Sequence, residues 1–310
     1  MIVSKANKAI VLKDADPAQI TTLVPSAKVI EHAGLQLVAV PHKLENVRAL
    51  RSLGIEAPSP IEYHYEWSGQ YQPFDAQRAT AAFLTLHDRA FVLNDLGTGK
   101  TVATLWAYDY LRSIGKANKM LVVSPLSTLE RAWADEIFKN FPHLTCAVLH
   151  GTKDRRLKLL KEDVDIYIIN HDGVKVVEEQ LIQRDDIDTV AIDEVAAFRN
   201  AQTTRWRSMH KIVANKKRVW GLTGTPTPNA PTDAYGQAKL IVPHRVPKFF
   251  NAFRDMVMKQ ISPFRWVPRS NATEIVADVL QPSIRFSRDD CVDLPETIYQ
   301  MRHVELTPEQ

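Results

Sequence analysis

Three short stretches carry the residue types that chemistry needs. The first is LGTGKT, residues 96–101. Gly97, Thr98 and Gly99 can make a turn whose backbone N–H groups converge on phosphate oxygens. A helix opening at Lys100 would add the positive end of its dipole. Lys100 can then reach the β- and γ-phosphates of a nucleoside triphosphate, and Thr101 can offer its hydroxyl to Mg²⁺. The second is TVAIDEVAAFRN, residues 189–200, in which Asp193 and Glu194 end an apolar run. Successive residues of an extended chain point apart, so the two carboxylates take different roles: Asp193 in a Mg²⁺ shell, Glu194 orienting and deprotonating an attacking water. The third is LTGTPTPN, residues 222–229, where Thr223, Gly224 and Thr225 supply hydroxyls and a tight turn. Taken singly, a GKT triplet is weak by spacing, an acidic pair can be a loop cap, and TGT is only a turn. Their shared position at the ends of apolar runs is what argues for one nucleotide site.

The elements that must hold these residues follow a regular alternation. Short runs rich in Val, Ile and Leu (AFVLN, KMLVVS, CAVLH, DIYIIN, TVAID and RVWGLTG) are apolar on both faces, as buried parallel strands are. Amphipathic segments separate them: residues 100–116, 127–141, 153–163, 174–185 and 203–216 read as helices, several with Ser, Thr or Asp near their start. The pattern predicts an α/β fold with a mainly parallel sheet flanked by helices. Trp106, Trp133 and Trp206 fall on these helices and read as packing residues. Residues 1–70 differ. Three strand-like runs (8–14, 27–32, 35–41) and one helix (43–55) suggest a small α+β appendage, joined by the connector APSPIEYHYEWSGQYQPF. From about 230 to 282 the chain reads as helical and irregular, with basic and aromatic residues interleaved, and 283–287 as a last strand.

Composition bounds the alternatives. The chain has 310 residues, 45% hydrophobic and 24% charged, with a net charge of +3. That balance neither requires nor forbids a nucleic-acid partner, which depends on a local basic surface. Two cysteines, Cys146 and Cys291, lack metal-ligand spacing and read as reduced thiols. No run suits a signal peptide or a membrane span, so the expected location is cytoplasmic.

In this order and spacing the motifs resemble those of superfamily 2 helicases and translocases, particularly the Swi/Snf-type branch and its compact phage-encoded members. LGTGKT is similar to motif I, VVSPLSTLERAWADE to motif Ia, IINHDGV to motif Ib, DEVAAFRN to motif II and LTGTPTPN to motif III. FDAQRATAAFL places Gln77 where that family carries its adenine-recognising glutamine. The likeness runs from about residue 74 to 310. Two positions depart: Asn94 stands where motif I has a Gly, and Ala196 where many relatives have a His that links the carboxylates to motif III.

The resemblance implies a RecA-like P-loop NTPase lobe over residues 71–295, the first of two. Residues 296–310 would start the linker to a second lobe supplying an arginine finger, in cis or trans. It implies ATP and Mg²⁺ as cofactors, with ATP hydrolysis weak in this lobe alone. Double-stranded or branched DNA would be gripped through its backbone by Ser124, Pro125, Ser127 and Thr128 of motif Ia and by Asn170 and His171 of motif Ib, with Arg199 and Asn200 as further candidates. Thr223, Gly224 and Thr225 would couple the two sites. No membrane is involved, and for a phage-encoded chain the setting is the host cytoplasm. An RNA helicase, or a nucleotide-gated DNA-binding adaptor without turnover, are the alternatives. The appendage at 1–70 fits either a DNA-gripping module or a packing element.

Overall fold

The computed structural model describes residues 1–13, 15–32 and 34–291. The chain begins with four short strands, β1 (Ile2–Ser4), β2 (Ala9–Leu12), β3 (Lys28–His32) and β4 (Leu35–Pro41), and with α1 (Pro17–Leu23) between β2 and β3. Asp16 caps α1 by accepting from the Ala18 and Gln19 N–H groups, with Pro17 in the first turn. The strands form an antiparallel sheet in the order β1-β2-β4-β3. Alternation decides its inner face: Ile10, Leu12, Val38 and Val40 point inward against Leu44, Val47 and Leu50 of α2 (Leu44–Ser52). The edge strand β3 is exposed along its whole length.

This small sheet is fastened to the rest. Its buried residues belong to the same hydrophobic cluster as those of α4 (Asp75–Leu86), which follows the single-turn α3 (Ile61–His64). Arg48 of α2 donates to both carboxylate oxygens of Asp88 and to the Thr85 carbonyl, and Ser59 and Thr85 share a buried hydroxyl–hydroxyl bond of 2.7 Å. The expected appendage thus packs through one face onto the main body.

The main sheet contains β5 (Arg89–Val92), β6 (Lys119–Ser124), β7 (Cys146–Leu149), β8 (Ile166–Asn170), β9 (Ile187–Asp193), β10 (Arg218–Leu222) and, at its edge, β13 (Ser283–Ile284). All pairings are parallel, in the order β13-β5-β10-β9-β6-β8-β7. The strands are buried on both sides because helices cover both. On one face lie α4, α5 (Lys100–Ser113) and α6 (Asp135–Asn140); on the other α8 (Glu178–Gln183), α9 (Thr204–Val213) and α10 (Ala234–Ile241), while α7 (Lys153–Leu160) packs beside β7. The chain leaves β5 and returns at β6, three positions along the sheet, with β10 and β9 filling the gap. The C-terminal ends of β5, β10, β9 and β6 therefore stand side by side, the place where open α/β sheets bind ligands.

Two stretches differ from their expected form. Residues 127–141 are not one helix: a 3₁₀ turn (Leu126–Thr128) passes into a π-helical stretch (Leu129–Ala134) before α6. The segment expected to be helical and irregular contains α11 (Phe250–Val257) and α12 (Ala272–Val279), but between them an antiparallel hairpin, β11 (Met258–Ser262) and β12 (Arg265–Pro268). The expected linker at 296–310 lies outside the described residues.

Candidate active site

The cleft lies over the strand ends. It encloses about 700 Å³ and is lined by Gln77, Gly97, Gly99, Lys100, Thr101, Thr128, Asp193 and Glu194 among the expected residues. The loop after β5 turns on Gly97 and Gly99, both left-handed at φ +82° and +78°. Gly99 suits its place because its φ is strained for any residue with a Cβ, and a Cβ there would sit 2.1 Å from Gln77 Nε2 and displace that side chain. α5 starts at the next residue, so its free N–H groups face the cleft. Thr98 is buried and ties the loop internally, its hydroxyl donating to the Asp95 carbonyl at 2.8 Å.

Lys100 is 9% exposed, and its amine donates to the carbonyls of Asn94 (2.9 Å) and Asp95 (3.0 Å). Burial pushes its pKa down, while the charges of Glu194, Asp193 and Asp95 oppose that shift. Asn94, the departure from the usual glycine, spends its side chain structurally. Its Nδ2 donates to Thr80 Oγ1 (2.9 Å) and its Oδ1 accepts from the Phe286 N–H (3.0 Å), joining α4 and the chain after β13 to the loop. Gln77 Oε1 accepts from the Phe74 N–H at 3.0 Å, and its Nε2 lies 3.4 Å from the Thr98 carbonyl.

The two acids do diverge. Asp193 Oδ2 accepts from Ser124 Oγ and from Trp133 Nε1, each at 3.0 Å, and Oδ1 accepts the Glu194 N–H. With Oδ2 held by two donors, Oδ1 keeps lone pairs for a ligand. Glu194 sits in the left-handed region at φ +47°, uncommon for a residue with a Cβ and worth roughly 1 kcal/mol of strain. Its Oε2 accepts from Thr223 Oγ1 at 3.1 Å. Thr223 in turn accepts the Thr225 N–H and donates its own N–H to Val92 of β5. The link from motif II to motif III therefore runs through Glu194 and Thr223, with Ala196 taking no polar part. Gly224 packs against the loop backbone at Asn94–Leu96.

The residues expected at a nucleic-acid surface divide. Pro125, Ser127 and Thr128 are accessible, as is part of Asn170, whose Oδ1 accepts from the buried Arg156. Ser124 and His171 need correction: Ser124 is fully buried and His171 is 7% exposed. Ser124 bonds Asp193 and Thr128, and His171 Nε2 donates to the Asp193 carbonyl at 2.7 Å. The Ser124 hydroxyl and His171 Nε2 are spent on the acidic strand end, and burial keeps both residues from a phosphate at the surface. Arg199 and Asn200 lie apart from the main cleft, lining a second one of about 320 Å³ with Phe250.

Sequence reasoning missed part of the wall. The connector passes across α5 and α6, where Trp106 Nε1 donates to the Ser68 carbonyl (2.7 Å) and Asn140 Oδ1 accepts the Gln70 N–H (3.0 Å). This brings Tyr71 and Phe74, 76% and 56% exposed, to the mouth of the cleft beside Gln77. Trp133, expected only to pack, also holds a catalytic candidate. Its nearness to an acid in VVSPLSTLERAWADE gave no hint of that, since the partner is Asp193.

The donor set suits Mg²⁺. Among the described residues the Thr101 hydroxyl has no hydrogen-bond partner, Asp193 Oδ1 accepts only the Glu194 N–H, and no group of three or more His, Cys, Asp or Glu is placed to hold a metal ion. Magnesium held by one or two protein oxygens plus phosphates needs no more.

Comparison with known proteins agrees with this fold. A family model, the SNF2-related domain, matches residues 77–310. Protein p41 of Acyrthosiphon pisum secondary endosymbiont phage 1 is 27% identical over 234 residues, covering 70% of this chain and 51% of that protein. A Caenorhabditis elegans homolog of the SWI/SNF-related matrix-associated actin-dependent regulator of chromatin, subfamily A containing DEAD/H box 1, is 29% identical over 148 residues, 45% of this chain and 15% of that one. The Sulfolobus solfataricus SWI2/SNF2 ATPase core, solved in complex with dsDNA, superposes with a TM-score of 0.61 at 22% identity, covering 72% of this chain and 46% of that one. The chain thus spans about half the length of the phage protein and of the archaeal core. No helix among the described residues is long and apolar enough to cross a membrane.

Proposed function

This chain belongs to the SNF2-related domain family, and on that premise we propose that it is the nucleotide-binding lobe of an ATP-driven motor acting on duplex DNA. The observation that carries this reading is the convergence of four strand ends on one cleft. Asp193 and Glu194 at the end of β9 are bonded to Ser124 of β6 and to Thr223 after β10, and Lys100 from the β5 loop lines the same cleft as the two acids.

Each residue then has a task. Gly97, Thr98, Gly99 and the start of α5 present N–H groups to the phosphates, and Lys100 exchanges its two carbonyl partners for phosphate oxygens. Gln77, with Tyr71 and Phe74 beside it, faces the adenine. Thr101 and Asp193 Oδ1 would hold Mg²⁺, which neutralises charge on the phosphates when bound. Glu194 orients the water and takes its proton, and Thr223 fixes the carboxylate for that task. Because Thr223 leads into the motif III turn, a movement there alters the general base. Pro125, Ser127, Thr128 and Asn170 offer the backbone contacts, along a surface independent of base sequence.

Lys100 is the one cation among the described residues lining the cleft. The arginine that phosphoryl transfer commonly uses is accordingly assigned to a second RecA-like lobe in cis or trans; without it, turnover falls by about 10³–10⁵. The test is ATP turnover with and without duplex DNA, beside Lys100→Ala and Glu194→Gln. DNA-responsive turnover that vanishes in both variants supports a motor. Tight binding with no turnover even when DNA is present would instead mean a nucleotide-gated switch.

A further inference from the structure

The hairpin β11–β12 takes no part in the cleft, yet its make-up is unusual for a surface element. Its turn is Pro263–Phe264, and Phe264 is 98% exposed; Ile261, the residue at the strand irregularity beside it, is 50% exposed. Burying neither ring nor side chain leaves apolar area in water at the most protruding point of the element.

The base of the hairpin is firm. Arg269 Nε donates to the carbonyls of Asp255 (3.0 Å) and Met258 (3.1 Å), and its N–H to Val257. Trp266 is packed on the core beneath, with the Arg254 guanidinium 3.9 Å from its ring centre. A tip carried on such a base is presented, not merely loose.

Charge identifies the partner. Residues 243–271 hold six Lys or Arg and one Asp, a net charge of +5 against +3 for the whole chain. The one Asp, Asp255, is already paired with Arg254, whereas Lys248, Lys259, Arg265 and Arg269 join no ion pair among the described residues. Phe250, at the start of α11, also lines the cleft of Arg199 and Asn200, where Asp233 faces Arg199 at 3.9 Å. A polyanion with stacking faces fits a basic ribbon tipped by an aromatic ring: two-stranded ribbons enter DNA grooves, and apolar wedges insert at base steps.

We propose that this hairpin is a DNA-engaging finger, with Phe264 stacking at a base step of duplex DNA and Lys259 and Arg265 on flanking phosphates. The proposal rests on the reading of the chain as a DNA motor lobe. It adds an element outside the motifs, placed on the opposite face of the sheet from α6.

The test is binding of the chain to a duplex carrying 2-aminopurine at an internal step, titrated at several salt concentrations. Phe264→Ala is expected to weaken binding by about ten-fold, remove the 2-aminopurine response and leave the salt slope unchanged. Lys259→Ala with Arg265→Ala should make the slope of log K against log salt shallower by about 2. Phe138→Ala, an 83% exposed ring on α6, should change nothing. All four substituted residues are exposed, so melting temperatures should match the parent. Parent-like DNA binding in the hairpin variants overturns the finger and leaves the motor reading intact; the same holds if they lose only association with a protein partner. No duplex binding by the parent chain overturns both.

Discussion

Replacing Trp133 by Phe separates packing from positioning at the acidic strand end. Trp133 is fully buried, and its indole N–H is one of two side-chain donors to Asp193 Oδ2. A hydrogen bond to a charged group contributes about 1.5–3 kcal/mol. The smaller ring adds a partial cavity, a further ~1 kcal/mol if the full truncation of a buried Trp costs about 3–5. Ser124→Ala removes the other donor with almost no change in volume, so it costs the bond alone. The two donors share one acceptor, and the double variant should therefore deviate from additivity. The functional consequence is on the metal: groups that orient a ligating carboxylate typically affect metal affinity by about 10–100-fold. Titrating Mg²⁺ at fixed ATP, the half-saturation concentration should rise at least about ten-fold in Trp133→Phe, while binding of metal-free ATP holds steady. A variant that melts earlier but keeps the parent Mg²⁺ dependence would refute the positioning role and leave Trp133 as packing only.

Three further outcomes follow from the geometry. Gly99→Ala forces a Cβ into the left-handed region, costing about 1–2 kcal/mol, and drives the Gln77 amide from its place; nucleotide binding should weaken and discrimination of ATP from GTP shrink, read by competition titration. Arg48→Ala removes a half-exposed ion pair with Asp88 and a bond to the Thr85 carbonyl; with solvent screening allowed for, about 1–2 kcal/mol is lost, and proteases should cut sooner between the N-terminal sheet and α4. Acid should destabilise the fold through His42 and His171, both held below the ordinary histidine pKa of 6.5 by burial. The unfolded chain takes up protons that the folded one refuses, so stability is full above about pH 6.5 and falls as pH drops below it. His42 shows why: Nε2 donates to the Pro58 carbonyl and Nδ1 accepts from His64, so a proton on Nδ1 breaks the pair. Melting temperatures at pH 7.5 and 5.5 check this, and His42→Gln should narrow the difference.

The sheet was legible because its strands are buried on both faces, so runs such as KMLVVS and DIYIIN announce themselves without neighbours. The phosphate loop was legible because left-handed turns call for glycine at 97 and 99. What stayed hidden depends on distant partners. Tyr71 and Phe74 reach the cleft because the Trp106–Ser68 and Asn140–Gln70 bonds span 38 and 70 residues. Trp133 finds Asp193 across 60 residues, and Ser124 is sealed by the same carboxylate across 69. The β11–β12 hairpin escaped because MKQIS buries only Met258 and so shows no period-two alternation, and its turn is Pro-Phe, without the Asn-Gly signal that usually marks a hairpin. Asn94 read as a departure from motif I; its side chain is a tie between α4 and the chain after β13.

The most direct test of the nucleotide site is calorimetric titration of Mg·ATP into the parent chain and into Lys100→Ala. The arrangement of Lys100, Asp193 and the glycine turn predicts one site per chain in the parent and a large loss of affinity in the variant, with the variant still folded. Equal affinity in both, or no heat in the parent at millimolar nucleotide, would contradict the assignment of this cleft to ATP.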